Sequence, residues 1–155
     1  MAKNLQTEIK QSKPFARASA EAFLSIMRTA AILEHQVGEV LRPYGITATQ
    51  YNVLRILRGA GSRGLCGRDV AERLVSQVPD VSRLLDRMEE MGLVRRERDE
   101  ADRRHVTARI SEQGFSLLEK VTPELEAVEV ARFSRLSSES VQTLILALAE
   151  VRSSV

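Results

Sequence analysis

The fold of this chain is decided by residues 68–110, which open with RDVAERL (68–74) and continue with VSRLLDRMEEMGLVRR (81–96). Apolar residues recur in both segments at spacings of three and four, which is the period of an amphipathic helix. Two short runs follow, LVRRER (93–98) and HVTARI (105–110), and the second alternates apolar and polar residues as a strand does. The stretch therefore predicts two helices joined by a tight turn and followed at once by a β-hairpin.

The second of these helices is predicted to run from Val75 to Met91, because Gly92 supplies a C-terminal cap. In a helix-turn-helix protein that binds DNA, the second helix enters the major groove and its first residues meet base edges. The hairpin tip, residues 98–104, would be a wing whose arginines enter the adjacent minor groove. The predicted DNA contacts are Ser76, Gln77, Pro79, Asp80, Ser82, Arg83 and Arg87 on the reading helix, and Asp102, Arg103 and Arg104 on the wing.

These features also have a plainer interpretation. An amphipathic helix with a charged outer face is common in soluble proteins, and a charged hairpin turn needs no ligand. The chain carries 23 Lys and Arg against 21 Asp and Glu, and arginine predominates over lysine. Arginine suits phosphates and guanine edges, but a GC-rich genome enriches it as well. Composition therefore permits nucleic-acid binding without requiring it.

Long helices are predicted on both sides of this unit. A helix entry at residues 12–14 and apolar residues at helical spacing over 15–41 predict one helix of roughly 40 Å. Such a helix is longer than a small domain needs, which suggests contact with a second subunit. Another helix is predicted from Ser111, bent or interrupted near residues 122–123, before a last helix capped within the serine pair 137–138.

These elements predict a single, mainly α domain over residues 1–155. A winged helix-turn-helix lobe at 47–111, with a small β-hairpin wing, is flanked by dimerisation helices at 1–46 and 112–155. The lobe opens with Thr47-Ala-Thr-Gln, which has the form of a capping box. The first 13 residues are polar and are predicted to be loose.

Length and composition narrow the class of protein. A chain of 155 residues with 43% hydrophobic residues is sufficient for one domain with a core. No run of 18 apolar residues provides a membrane span, and the first residues lack the apolar core of a secretory signal. A single cysteine fits a reducing compartment. We therefore expect a soluble, cytoplasmic protein.

Other motifs are weak. Residues 59–64 satisfy the dinucleotide pattern G-x-G-x-x-G, but a helical segment rather than a strand precedes them, so they predict only a loop. Cys66 is interpreted as a small buried thiol, with a redox sensor as the alternative. His35 and His105 have no metal-site spacing. We expect no metal, no cofactor and no enzymatic activity, because no catalytic constellation is present.

The ordered motifs resemble one family in particular. TATQYNVLRIL (47–57), DVAERL (69–74), VSRLLDRMEEMGLVRR (81–96), DRR (102–104) and ISEQG (110–114) follow one another as in the multiple-antibiotic-resistance regulator (MarR) family. The wing DRR followed by a helix start of the Ser-Glu-x-Gly type is the most discriminating part. The resemblance covers nearly the whole chain.

This resemblance implies a homodimer, held by its first and last helices, that binds pseudo-palindromic double-stranded DNA near promoters. It also implies a repressor released by a small aromatic or phenolic effector in a cleft beside the long first helix, with His35, Tyr44 and Tyr51 as candidate contacts. One departure is Val78-Pro79-Asp80 at the start of the reading helix, where relatives are often rich in Ser, Lys or Thr. Asp80 would accept a hydrogen bond from a cytosine amino group.

An alternative function shares the same fold. A winged-helix module that binds another protein, and not DNA, would have the same element order. Such a module would not require arginine at the wing tip, whereas a DNA-binding wing would.

Overall fold

The computed structural model describes residues 4–98 and 106–153, and within them the chain is mainly helical with a small antiparallel sheet. The helices are α1 Leu5–Glu8, α2 Ala18–Leu41, α3 Ala48–Ala60, α4 Gly67–Arg73, α5 Val81–Glu90, α6 Glu112–Phe133 and α7 Ser138–Ser153. The strands are β1 Leu65–Cys66, β2 Val94–Arg98 and β3 Val106–Ile110, and 3-10 turns lie at Arg42–Tyr44 and Gly61–Arg63. The predicted fold class is confirmed.

The sheet contains one strand more than the predicted hairpin. β3 lies in the centre, with β2 on one side and β1 on the other, and both pairs are antiparallel. β1 is only two residues long and falls in the segment predicted to be a loop. A side chain at Gly64 would lie 2.6 Å from the carbonyl oxygen of Ala108, so glycine lets β1 approach β3 closely. The pairing of Leu65 with Ala108 spans too many residues to appear in the local pattern.

A single apolar core joins the small sheet to the long helices. Leu54 and Leu57 of α3, Met88 of α5, and Leu118 and Val121 of α6 are fully buried. Burial of a leucine or methionine side chain contributes about 1.5–3 kcal/mol, so this cluster fixes the lobe on α6.

Capping residues set several of the helix boundaries. Thr47 and Gln50 form the predicted capping box, with Thr47 Oγ1 accepting from the Gln50 amide at 3.2 Å. Ser137 Oγ accepts from the Ser140 amide at 3.1 Å, which confirms the predicted start of α7. Gly92 has a φ of 73° and closes α5 with a Schellman pattern, in which its amide donates to the Glu89 carbonyl.

Three sequence-based predictions at the flanks are wrong. The first long helix begins at Ala18 and not at residues 12–14, because the backbone of Arg17 is extended and serves as the N-cap. The N-terminal segment is not loose throughout, since α1 forms and Leu5 is buried. Of the bend or interruption predicted near residues 122–123, the interruption is wrong, since α6 runs through Pro123 and its packing on the core outweighs one missing hydrogen bond. None of the described helices is both long and apolar enough to span a membrane.

Candidate nucleic-acid interface

The reading helix starts six residues later than predicted, since α5 begins at Val81 rather than at Val75. Pro79 keeps the residue before it out of helical geometry, and Asp80 then caps the helix. Ser76, Gln77 and Pro79 consequently lie in the segment that connects α4 to α5. Asn52 Oδ1 accepts from the Val75 amide at 2.9 Å and so ties this connecting segment to α3.

Asp80 has a structural task of its own. Its Oδ1 accepts a hydrogen bond of 2.9 Å from the backbone amide of Arg83, and its side chain is exposed. Removing such a cap typically costs about 1 kcal/mol. A carboxylate at this end of a helix is also favoured by the helix dipole. Asp80 therefore fixes where the reading helix begins, and its predicted contact with a base stays a prediction.

One face of α5 is anchored and the opposite face is exposed. Val81, Leu85 and Met88 are buried, and α5 packs on α4 and β2. Arg83 and Arg87 are exposed on the other side of the helix. The geometry therefore leaves two guanidinium groups available to base edges or phosphates, as a major-groove helix requires.

The hairpin lies directly beside this helix. β2 and β3 pair from Val94 with Ile110 to Arg98 with Val106. Arg109 reaches from β3 to Glu97 on β2, and its Nε donates to the Ser62 carbonyl at 2.7 Å. The base of the wing is therefore held to the turn after α3. The predicted wing contacts Asp102, Arg103 and Arg104 lie outside the described residues.

A residue that sequence reasoning missed joins the two parts of the interface. Arg96 on β2 forms an ion pair with Asp86 on α5, and its backbone amide donates to Glu89 Oε1 at 2.9 Å. The only sign of this role in the sequence is an arginine at a strand position that faces inward. Its partners lie seven and ten residues earlier in the chain, so no local pattern connects them.

A cavity of about 770 Å³ separates the long helix α2 from the lobe. α2, α3, α6 and the α4–α5 connection all contribute to its lining, and Tyr51 is one of the lining residues. His35 is exposed on α2 and does not line the cavity. Of the three predicted effector contacts, the structure therefore brings only Tyr51 to this cavity. Its Oη lies 3.3 Å from Thr122 Oγ1.

Tyr44 lies elsewhere and has a different partner. It lines a smaller cavity of about 350 Å³ next to Lys120, and its Oη donates a hydrogen bond to Glu124 on α6. This hydrogen bond, with burial and the carboxylate charge as smaller causes, raises the pKa of Tyr44 above its ordinary value of 10.0. Tyr44 therefore links the turn after α2 to α6.

Apolar side chains cover the flanking helices of the isolated chain. Phe23 and Met27 on α2 are 65% and 58% exposed, and Val130 on α6 is 69% exposed. On α7, Ile145 and Leu146 are 50% and 66% exposed, and none of its described residues is buried. Cys66, predicted to be a small buried thiol, is half-buried on β1.

Sequence comparison gives relatives that are regulators of transcription. The MarR family profile matches residues 44–105. MgrA of Staphylococcus aureus, an HTH-type transcriptional regulator, is 33% identical over 115 residues, covering 73% of this chain and 74% of MgrA. YkoM of Bacillus subtilis, an uncharacterised HTH-type transcriptional regulator, is 29% identical over 144 residues, covering 92% of this chain and 87% of YkoM.

Solved structures give the same family. AbsC, a MarR family transcriptional regulator from Streptomyces coelicolor, superposes with a TM-score of 0.76 at 30% identity, covering 92% of this chain and 97% of AbsC. MepR in the S. aureus MepR–DNA complex superposes with a TM-score of 0.78 at 26% identity, covering 86% of this chain and 97% of that chain. With the helix-turn-helix, the adjoining hairpin and these relatives in agreement, the chain belongs to the MarR family and is a winged-helix, DNA-binding regulator of transcription.

Proposed function

We propose that this protein binds a pseudo-palindromic site in double-stranded DNA as a cytoplasmic homodimer and represses transcription there, rather than acting as an enzyme. The observation that carries the proposal is the pairing of an exposed arginine face on α5 with a hairpin held beside it. The similarity to MepR, whose structure is a DNA complex, supports DNA as the partner.

The exposed apolar side chains of α2, α6 and α7 support the homodimer. Large apolar side chains exposed in such number on a single chain are typical of a protein interface. In a two-fold dimer the same surface of each subunit meets its copy, so one chain supplies both halves of the interface. Two reading helices then face two half-sites about 34–36 Å apart.

A gel shift with genomic DNA fragments at low and high salt tests this function. We expect wild-type protein to bind, with affinity falling steeply as salt rises, because phosphate contacts release counterions. The alternative, a winged-helix module that binds another protein, predicts no salt-dependent shift. Failure to bind DNA at low salt would contradict the proposal.

Arg83→Ala and Arg104→Ala are expected to affect DNA binding in different ways. An arginine on a guanine edge contributes roughly 1–3 kcal/mol of base discrimination, so Arg83→Ala should relax the preference for the selected site. Arg104→Ala should weaken binding to the selected duplex and to unselected A·T-rich duplexes alike. An arginine in a narrow minor groove is attracted by the negative potential there, and that attraction does not require a particular base. Arg104→Ala should also flatten the salt dependence. The measurement is affinity at several salt concentrations.

Melting curves serve as the control for these two variants. Surface substitutions usually change stability by under about 0.5 kcal/mol, so both variants should melt as the wild type does. A folded Arg104→Ala variant with wild-type affinity and wild-type salt slope would show that the wing does not contribute to DNA binding.

We further propose that a small aromatic or phenolic effector in the 770 Å³ cavity releases the DNA. Arg55 and Arg132 are among its lining residues and suit a phenolate or carboxylate, whereas Arg58, which also lines it, is paired with Glu119 at 3.2 Å. The cavity also reaches Ser76 in the segment that leads into α5. A ligand releases DNA only if it prefers the arrangement that binds DNA poorly. A ligand in this cavity would contact both α2 and the segment that leads into α5, so its binding would depend on their arrangement.

Val128→Phe should abolish the effector response and leave DNA binding intact. Val128 lines the cavity from α6 and is half-buried, so the larger ring takes the space of the ligand. The measurement is DNA release by a panel of phenolic acids. Val128→Ile, which adds one methylene at the same position, is the matched control and should keep the response. An unchanged response in Val128→Phe would place the effector elsewhere.

A further inference from the structure

A cluster of polar side chains joins the wing strand to the reading helix, and the proposed DNA contacts do not explain it. Arg96 on β2 pairs through Nη1 with Asp86 on α5, and its Nη2 lies 3.5 Å from Ser82 Oγ. Farther along α5, Glu89 Oε1 accepts a hydrogen bond of 2.9 Å from the Arg96 amide. Ser82, Asp86 and Glu89 follow at spacings of four and three, so they form one flank of the helix.

The Arg96 guanidinium is turned into this junction rather than toward solvent. Its side chain is 18% exposed, against 54% for Asp86, and its Nε is buried without a hydrogen-bond partner among the residues that the structure describes. An arginine that binds phosphate presents its N–H groups to the DNA, as the exposed side chains of Arg83 and Arg87 are free to do. Arg96 is therefore placed to act on the helix.

The negative charges on this flank of α5 lie close to the side of the helix that would face DNA. Asp86 and Glu89 adjoin the exposed face of α5 that carries Arg83 and Arg87. Unpaired carboxylates at this place repel DNA phosphates. Removing Arg96 would leave the Asp86 carboxylate, whose side chain is 54% exposed, without its ion-pair partner on this flank.

We propose that Arg96 is a positioning residue that acts through Asp86: it fixes the wing strand against the reading helix and neutralises the carboxylate beside the DNA-facing side. This inference rests on the DNA-binding function proposed above. If Arg96 acts through Asp86, then the loss of DNA affinity on replacing Arg96 depends on whether Asp86 is present.

A double-mutant cycle tests the proposal. Affinity is measured for wild type, Arg96→Met, Asp86→Asn and the double variant, on a duplex selected by the wild type from a random-sequence library. We expect Arg96→Met to weaken binding roughly tenfold in the wild-type background and only about twofold in the Asp86→Asn background, within the usual range for residues of one network. Arg42→Met, which removes the same charge from an exposed pair with Glu39, is the matched control and should bind like wild type.

Two further readouts separate positioning from direct contact and from simple misfolding. Amide hydrogen exchange in β2 should be faster in Arg96→Met than in Arg42→Met, with both variants folded by circular dichroism. A direct phosphate contact predicts instead equal losses in both backgrounds and a salt slope lower by about one. Equal losses, wild-type affinity in Arg96→Met, or unchanged exchange would each overturn the proposal. Absence of binding by the wild type would instead count against the DNA-binding function itself.

Discussion

Gly114→Ala is expected to lower the free energy of unfolding by about 3 kcal/mol or more, at the upper end of the cost of overpacking. A Cβ at position 114 would lie 2.1 Å from the carbonyl oxygen of Leu93 and 3.1 Å from atoms of Ile110 and Leu54. The first of these neighbours is backbone, so it cannot move aside by changing a rotamer. The strand β2 and the start of α6 would have to separate.

The surroundings of Gly114 make such a separation costly. Its amide donates to Ser111 Oγ at 3.0 Å, and Ser111 Oγ donates to the Gly92 carbonyl at 2.6 Å. The Ser111 amide donates to the Leu93 carbonyl at 3.1 Å. The end of the reading helix, the first strand of the wing and the start of α6 thus meet in one hydrogen-bonded junction, and opening it also displaces the wing.

Thermal melting of Gly114→Ala beside Gly59→Ala tests this expectation. Gly59 lies in α3, and a Cβ there would meet nothing within 4 Å. Alanine at a helical position is up to about 1 kcal/mol more favourable than glycine, so Gly59→Ala should melt at or above the wild-type temperature. Equal melting temperatures for Gly114→Ala and the wild type would show that the junction is looser than described.

Ile145→Glu is expected to weaken dimerisation by at least about 100-fold, because it places a charge in the apolar surface of both subunits. Burying an unpaired polar or charged group costs about 3 kcal/mol or more, and every 1.4 kcal/mol changes a dissociation constant tenfold. Ile145 is 50% exposed in the isolated chain, so the substitution leaves the core of the lobe untouched. The variant should fold and should bind a palindromic site much more weakly than the wild type.

Sedimentation or light scattering over a range of protein concentrations measures this effect. Gln113→Glu adds the same charge at an exposed position in the first turn of α6, where the helix dipole favours an acidic residue, and is the matched control. The control should remain a dimer at concentrations where Ile145→Glu is a monomer. A wild-type protein that is already monomeric at micromolar concentration, or an Ile145→Glu variant that dimerises normally, would contradict the proposed interface.

Much of the fold follows from local features of the sequence. The capping residues Thr47, Ser111 and Ser137 have their side-chain oxygens on the expected backbone amides, and the glycine at 92 ends α5 as expected. These signals act within one turn of a helix, so the chain carries them wherever the segment is placed. The two hairpin strands were predicted from alternating residues and from the charged tip between them, and β2 and β3 do pair with each other.

The misplaced start of α5 and the interruption wrongly predicted in α6 share one physical cause. The start of α5 was misplaced because its apolar pattern continues upstream to Val78, while Pro79 and the Asp80 cap decide the boundary. α6 passes Pro123 because tertiary packing on Leu118 and Val121 outweighs the local penalty. In each of these two cases a local pattern competes with a cap or with tertiary packing, and the pattern alone does not show which prevails.

The sequence by itself determined the order of the longer helices and the two hairpin strands and several of the caps at their ends, because each of these depends on neighbours a few residues away. The order of its motifs along the chain also indicated the regulator family. Only the tertiary structure decided that Arg96 holds the reading helix and that Gly114 admits no side chain. It alone also separated Tyr51, beside the large cavity, from Tyr44. Those facts depend on atoms brought together from segments far apart in the chain, and their distances follow from packing rather than from any local pattern.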